Sequence, residues 1–227
     1  MSQAGFGTTA RQRKRHGCLV PALGFGIVQR GVPVRIGIFG GTFDPPHLGH
    51  LVAASEAASQ VGLDEVVFVP TGDPWQKNHR SVTDSASRLA MTRLAIGGDA
   101  RFRVSTCDID RDGFTYAVDT VADVRAEHEE DAEMYFIFGA DSLENLHTWH
   151  RFEELVAVTE FVALNRPGHS RRAAEVAAEV RVEFVDMPGV DISSSDCRRR
   201  VKAGEPIRYL VPASVEDYIR EHRLYRD

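Results

Sequence analysis

From Val34 to the C-terminus, short runs of β-branched and aromatic residues alternate with longer stretches whose apolar positions recur three or four residues apart. VRIGIFG, EVVFVP, RFRVSTCDI, EMYFIFGA, EFVALNR and RVEFVDM predict strands, because brief apolar runs bounded by turn formers suit an extended chain buried on both faces. Between them, LGHLVAASEAASQVG, DSASRLAMTRLAIGG, AVDTVADVRAEHE and SRRAAEVAAEV predict helices, and SSSDCRRRVKAG and PASVEDYIREHRLY predict two more that close the chain. This alternation predicts an α/β fold, a doubly wound, mostly parallel sheet with helices on both faces and a C-terminal helical segment. No internal repeat is visible.

Residues 1–33, MSQAGFGTTARQRKRHGCLVPALGFGIVQRGVP, precede this pattern and carry no sustained period. They read as a leader, disordered or added by an upstream start codon, with the native start expected near Val32 or Val34; residues 34–227 read as a single domain. RQRKRHG followed by CLVPALGFGIV differs from a signal peptide, since the apolar part is short, broken by glycine and not followed by a small-x-small cleavage site. No run reaches the roughly 18 apolar residues of a membrane span. The three cysteines, Cys18, Cys107 and Cys197, are odd in number and far apart, which suggests neither a disulfide framework nor a CxxC metal site. A cytoplasmic protein without a membrane partner is expected, and the sequence leaves a homo-oligomer open.

The 227-residue chain carries a net charge of −6, and residues 1–33 hold five basic groups (Arg11, Arg13, Lys14, Arg15, Arg30) without an acid. The remaining chain is therefore more acidic still. That balance excludes a nonspecific nucleic-acid binder, whose affinity comes from Lys and Arg on phosphates. Any phosphate ligand must be held locally.

The local chemistry concentrates in GIFGGTFDPPHLGH, Gly37 to His50, at the carboxyl end of the first strand, where ligands sit in doubly wound sheets. Gly40 and Gly41 allow backbone N–H groups to approach an anion, and the helix starting near Leu48 directs its positive end to the same place. A dinucleotide turn fails because Phe39 stands where GxGxxG needs its second glycine, and a Walker A loop fails because no GK[ST] follows. His47 and His50 project from one side of the turn and can reach one phosphate. Taken alone, the pair also allows a helix-capping role for His47, and nothing nearby supplies further ligands for a metal.

The string GGTFDPPHLGH resembles the signature of the nucleotidyltransferases related to class I aminoacyl-tRNA synthetases, whose HxGH histidines hold ATP phosphates. FIFGADS (Phe136 to Ser142), TW (Thr148, Trp149), RPG (Arg166 to Gly168) and ISSSDCR (Ile192 to Arg198) narrow the resemblance to the bacterial nicotinate-mononucleotide adenylyltransferases, from about Arg35 to the C-terminus. The resemblance implies a Rossmann-like fold and attack by the 5′-phosphate of nicotinate mononucleotide on the α-phosphorus of ATP, yielding nicotinate adenine dinucleotide and pyrophosphate in NAD biosynthesis. It implies Mg²⁺ as a companion of ATP, and no metal held by protein ligands.

By that resemblance His47 and His50 are the catalytic pair, acting as charge-stabilising donors. Gly40, Gly41, Thr42, Phe43, Gly139, Asp141, Ser194, Ser195 and Arg198 bind ATP. Lys77, Thr115, Tyr116 and Trp149 bind nicotinate mononucleotide, the tryptophan by stacking. Competing roles for the same residues are a cap on the SLENLH helix for Asp141 and core packing for Trp149. Arg199 and Arg200 are expected in solvent. Two positions depart from the family pattern: Ser195 replaces the usual Thr, and Trp75-Gln76-Lys77 replaces a Pro-His-basic sequence. Rival readings are a phosphopantetheine adenylyltransferase, a cytidylyltransferase, an enzyme preferring nicotinamide mononucleotide, and a nucleotide-sensing binding module.

Overall fold

The computed structural model describes residues 33–72, 82–165 and 180–226, all within one compact unit, Val32–Asp227. The leader (except Pro33), Lys77 with its two neighbours, the RPG motif and nearly all of the helix expected over 170–180 lie outside the described residues. Among the described residues six strands, β1 (Arg35–Gly41), β2 (Glu65–Pro70), β3 (Phe102–Val104), β4 (Glu133–Gly139), β5 (Glu160–Asn165) and β6 (Val182–Asp186), form one sheet in the order β3-β2-β1-β4-β5-β6. Every pairing is parallel. The helices are α1 (Leu48–Val61), α2 (Ser85–Ile96), α3 (Cys107–Asp110), α4 (Ala117–Ala126), α5 (Phe152–Val158), α6 (Ser194–Ala203) and α7 (Ala213–Glu221), with a 3₁₀ helix over Ala140–Thr148.

The two-residue side-chain period of the strands divides their apolar residues between two cores. Ile36, Ile38, Val67, Val69, Met134, Phe136 and Phe138 face Val118, Val121 and Val124 of α4, Leu143 and Leu146 of the 3₁₀ helix and Leu155 of α5. Phe39, Val66, Phe68, Tyr135 and Ile137 face the alanine stripe of α1, Ala53, Ala54, Ala57 and Ala58, whose small side chains let the helix lie close to the sheet. A third cluster joins Met91 and Ala95 of α2 to Cys197 of α6 and Val215 and Ile219 of α7. Each fully buried large apolar side chain contributes about 1.5–3 kcal/mol. Among the described residues no helix is long and apolar enough to cross a membrane.

The expected strand over RFRVSTCDI is shorter than predicted. Only Phe102–Val104 pairs with β2, because Thr106 begins a helical turn in which its Oγ1 donates to Asp110 Oδ2 at 2.6 Å. Helix α5 fills seven residues to which the sequence pattern assigned no element.

Candidate active site

The winding reverses between β1 and β4. Their pairing ends at Phe39–Ile137, whereas β1 continues along β2 to Gly41–Pro70 and β4 continues along β5 to Gly139–Leu164. The sheet therefore stops laddering between its two central strands at their carboxyl ends, leaving the crevice expected at a switch point. Gly40 and Gly41 border it as the last residues of β1. A Cβ on Gly40 would lie 3.6 Å from Phe136 Cζ, and one on Gly139 would meet no atom of the described residues within 4 Å.

After Gly41 the chain turns sharply. Phe43 takes a left-handed φ of 50°, and its ring is buried against Phe39, Phe68 and His50. Its side chain is thus a support beneath the site, and only its backbone can meet a nucleotide. His47 is the N-cap residue of α1 in extended conformation, so a capping position and a place at the crevice coincide. His50 stacks on it at 3.7 Å between ring centroids and accepts the His47 backbone N–H on Nδ1 at 3.1 Å. With Nδ1 accepting, the proton of the neutral ring sits on Nε2, which makes that atom a donor. Gly49 permits this stack, because a Cβ there would stand 3.0 Å from His47 Nδ1.

The start of α1 is less open to an anion than the sequence suggests. Leu48 N–H donates to Leu210 O at 2.9 Å and His50 N–H to His47 O at 2.9 Å. Two of the first helical donors are committed internally, which shifts the burden of phosphate recognition toward side chains and the helix dipole.

Helix α6 meets the same turn. Ser193 caps it, accepting Asp196 N–H at 3.1 Å. Ser194 Oγ donates to Pro45 O at 2.8 Å, and Arg198 donates to Asp44 O at 2.6 Å and to Ser195 Oγ at 3.3 Å. Arg199 and Arg200 point instead to Asp196, at 2.8 and 2.6 Å, as partly exposed ion pairs of little net energy. Sequence reasoning missed the wall behind this turn. Asp44 and Arg88 are buried charges; Tyr225 Oη donates to Asp44 Oδ1 at 2.6 Å. Burial pulls the Arg88 guanidinium below its usual pKa, and the Asp44 carboxylate is the main opposing influence.

On the opposite side of the winding, Thr115 and Tyr116 stand at the start of α4, with Tyr116 as its N-cap residue. Tyr116 stacks on His150 at 4.1 Å, a contact that the sequence offered no sign of. Trp149, half-buried, packs in T-shaped pairs with Phe136 and Phe138, ring centroids 5.6 and 5.7 Å apart. Phe136 therefore adjoins both Gly40 and Trp149, so one phenyl ring links the two expected half-sites. Asp141 is exposed in the first turn of the 3₁₀ helix, whose N-cap is Gly139; the cap reading of Asp141 does not fit that position. Asp108, on α3, is buried, and desolvation raises its pKa while a bond from Thr120 Oγ1 at 2.8 Å opposes the rise. Burial pushes the Cys107 and Cys197 thiols up to about 11, which makes poor nucleophiles of both. Among the described residues no group of three or more His, Cys, Asp or Glu is placed to hold a metal ion.

Comparison with known proteins adds an independent line. The family described as cytidylyltransferase-like matches residues 38–200. A probable nicotinate-nucleotide adenylyltransferase of Saccharopolyspora erythraea is 51% identical over 192 residues, covering 85% of this chain and 90% of the relative. One from Streptomyces coelicolor is 51% identical over 187 residues, covering 82% and 98%. Plasmodium falciparum nicotinic acid mononucleotide adenylyltransferase complexed with NaAD has a TM-score of 0.71 at 21% identity, covering 85% of this chain and 97% of that one, a likeness of fold. With half of the residues identical over nearly the whole of both relatives, this chain belongs to the nicotinate-nucleotide adenylyltransferase family of cytidylyltransferase-like proteins.

Proposed function

We propose that the chain transfers the adenylyl group of ATP to nicotinate mononucleotide, releasing pyrophosphate and forming nicotinate adenine dinucleotide. The observation that carries this reading is the convergence of His47, His50, Ser194 and Arg198 on the Asp44–Pro45 turn beside the β1/β4 crevice, in a chain about half identical to relatives bearing that activity in their names. Such a transfer demands little covalent work of the protein. It needs two anionic reactants held in line and donors for the charge that builds on the α-phosphate and the leaving pyrophosphate.

In this reading the ATP phosphates lie across the crevice from Gly40 and Gly41 to Arg198. His50 Nε2 and the His47 ring face them as donors, and Thr42, Ser195, Gly139 and Asp141 bound the nucleotide. Mg²⁺ enters with the triphosphate, offsetting its charge. The mononucleotide ring lies on Trp149, with its carboxylate at the Thr115–Tyr116 helix start, where backbone donors favour an acceptor-only group over a carboxamide. Lys77 is assigned to the mononucleotide by sequence alone.

The test is a pyrophosphate-release assay with Mg²⁺ and ATP or CTP, offering nicotinate mononucleotide, nicotinamide mononucleotide and phosphopantetheine in turn. Turnover with ATP and the acid, at a kcat/KM about two orders of magnitude above the amide, is expected because a charge-assisted bond is roughly twice as strong as a neutral one. Equal use of acid and amide, or preference for CTP or phosphopantetheine, would assign the site differently.

A further inference from the structure

Two residues outside every motif of the sequence are bonded to the nucleotide turn. Arg88, on α2, is only 1% exposed, and its guanidinium serves three main-chain carbonyls: Thr83 O at 2.9 Å, Thr42 O at 3.0 Å and Gly72 O at 3.0 Å. One of these lies in the turn itself; the other two flank residues 73–81 on either side. A buried cation is costly unless its donors are satisfied and a counter-charge is near. Asp44, 3% exposed, supplies that charge.

Asp44 connects the two halves. Its carboxylate accepts the Tyr225 hydroxyl at 2.6 Å and Thr83 N–H at 3.2 Å, and its carbonyl accepts Arg198 at 2.6 Å. Tyr225 lies 181 residues away in sequence and takes a φ of 63°, a conformation that L-residues seldom adopt and that persists only where surrounding contacts impose it. Burial and the adjacent carboxylate hold its phenol well above the usual pKa, so it remains a donor. The chain thus ties its C-terminal segment and α2 to the single turn that meets α6.

We propose that Arg88 and Tyr225 are positioning residues for adenylyl transfer, fixing the Thr42–Asp44 turn relative to Arg198 and so the seat of the ATP phosphates. The inference rests on the reaction proposed above. It differs from a packing role in its kinetic signature. A residue that only stabilises the fold lowers the active fraction and with it the apparent kcat, moving neither KM; a residue that seats ATP moves the KM for ATP in protein that is fully folded. Lysine cannot replace Arg88, because one ammonium cannot reach carbonyls on three separate segments in the way a planar fork does.

The experiment compares wild type, Tyr225→Phe and Arg88→Lys with Val215→Ala, which thins the α7 side of the cluster shared with α2 without touching the turn. Melting temperatures are measured first, and kinetics are run well below the lowest of them. Tyr225→Phe and Arg88→Lys should each raise the KM for ATP about tenfold, the scale of a hydrogen bond to a charged group, with the KM for the mononucleotide within about twofold. Val215→Ala should lose melting temperature and move neither KM. A KM for ATP unchanged in both variants, or raised equally by Val215→Ala, would overturn the inference. Equilibrium binding of an unreactive ATP analogue separates this failure from that of the proposed reaction. Looser analogue binding in the two variants supports positioning even if the wild type proves to use another acceptor, and unaltered binding overturns it.

Discussion

Replacing His50 separates its helix-start contact with His47 from the catalytic role proposed for the same imidazole. Nδ1 accepts the His47 backbone N–H at 3.1 Å, which is worth about 1 kcal/mol to the helix start. In the reaction proposed above Nε2 is the donor to developing charge, and loss of one such donor costs about 10²–10³ in kcat, roughly 2.7–4 kcal/mol. His50→Ala removes both. His50→Asn keeps an acceptor near the Nδ1 position and lacks a donor at the Nε2 position, so it should melt within about 1 kcal/mol of wild type and still lose about a hundredfold in kcat. His50→Gln extends an amide nitrogen toward the Nε2 position and should recover part of the loss. Steady-state rates by coupled pyrophosphate detection, with melting curves on the same samples, give both readings. A folded His50→Ala or His50→Asn protein with kcat within about threefold of wild type would remove His50 from the mechanism and leave it as a helix-start residue.

Trp149→Ala should raise the KM for the mononucleotide by about tenfold or more, because base-type stacking on an aromatic ring is worth about 1–3 kcal/mol; equal losses for ATP and the mononucleotide would favour its packing against Phe136 and Phe138 instead. Asp84 caps α2 by accepting Ser87 N–H at 2.8 Å, and that bond holds its carboxyl below the usual pKa. Asp84→Ala should therefore cost about 1 kcal/mol at neutral pH, which is about 2–4 °C in Tm for a chain of this size. A depressed carboxyl contributes its stability above the unfolded pKa of about 3.9 and loses it as pH falls through the folded value. The gap between variant and wild type should thus close in acid, and a gap undiminished near pH 2 would contradict the cap.

The central strands were legible because burial on both faces demands unbroken apolar runs. EVVFVP coincides with β2 end to end, and the crevice position follows from the parallel winding. The boundary of β3 was not legible, since Val104 and Ile109 look alike in sequence and only the Thr106–Asp110 side-chain bond shows where helix begins. The residue types that meet at the Asp44–Pro45 turn were readable, because GGTFDPPHLGH and ISSSDCR carry their chemistry locally. What could not be read was the interior wall. Arg88 occurs on an otherwise ordinary amphipathic helix, where an arginine reads as a solvated charge, and only the tertiary fold shows three carbonyls around it. The Tyr225–Asp44 bond spans most of the chain, and no local pattern announces a contact at that separation. The commitment of Leu48 N–H to Leu210 O was hidden for the same reason.

The identity of the product is the most direct test of the proposed adenylyl transfer. Purified chain incubated with Mg²⁺, ATP and nicotinate mononucleotide should release one pyrophosphate for each mononucleotide consumed. Mass spectrometry should find the adenylyl group joined to the intact mononucleotide as the sole new dinucleotide, with the bridging oxygen retained when the mononucleotide phosphate carries ¹⁸O. Absence of that dinucleotide from protein that is folded and binds ATP would contradict the account, as would pyrophosphate released without it.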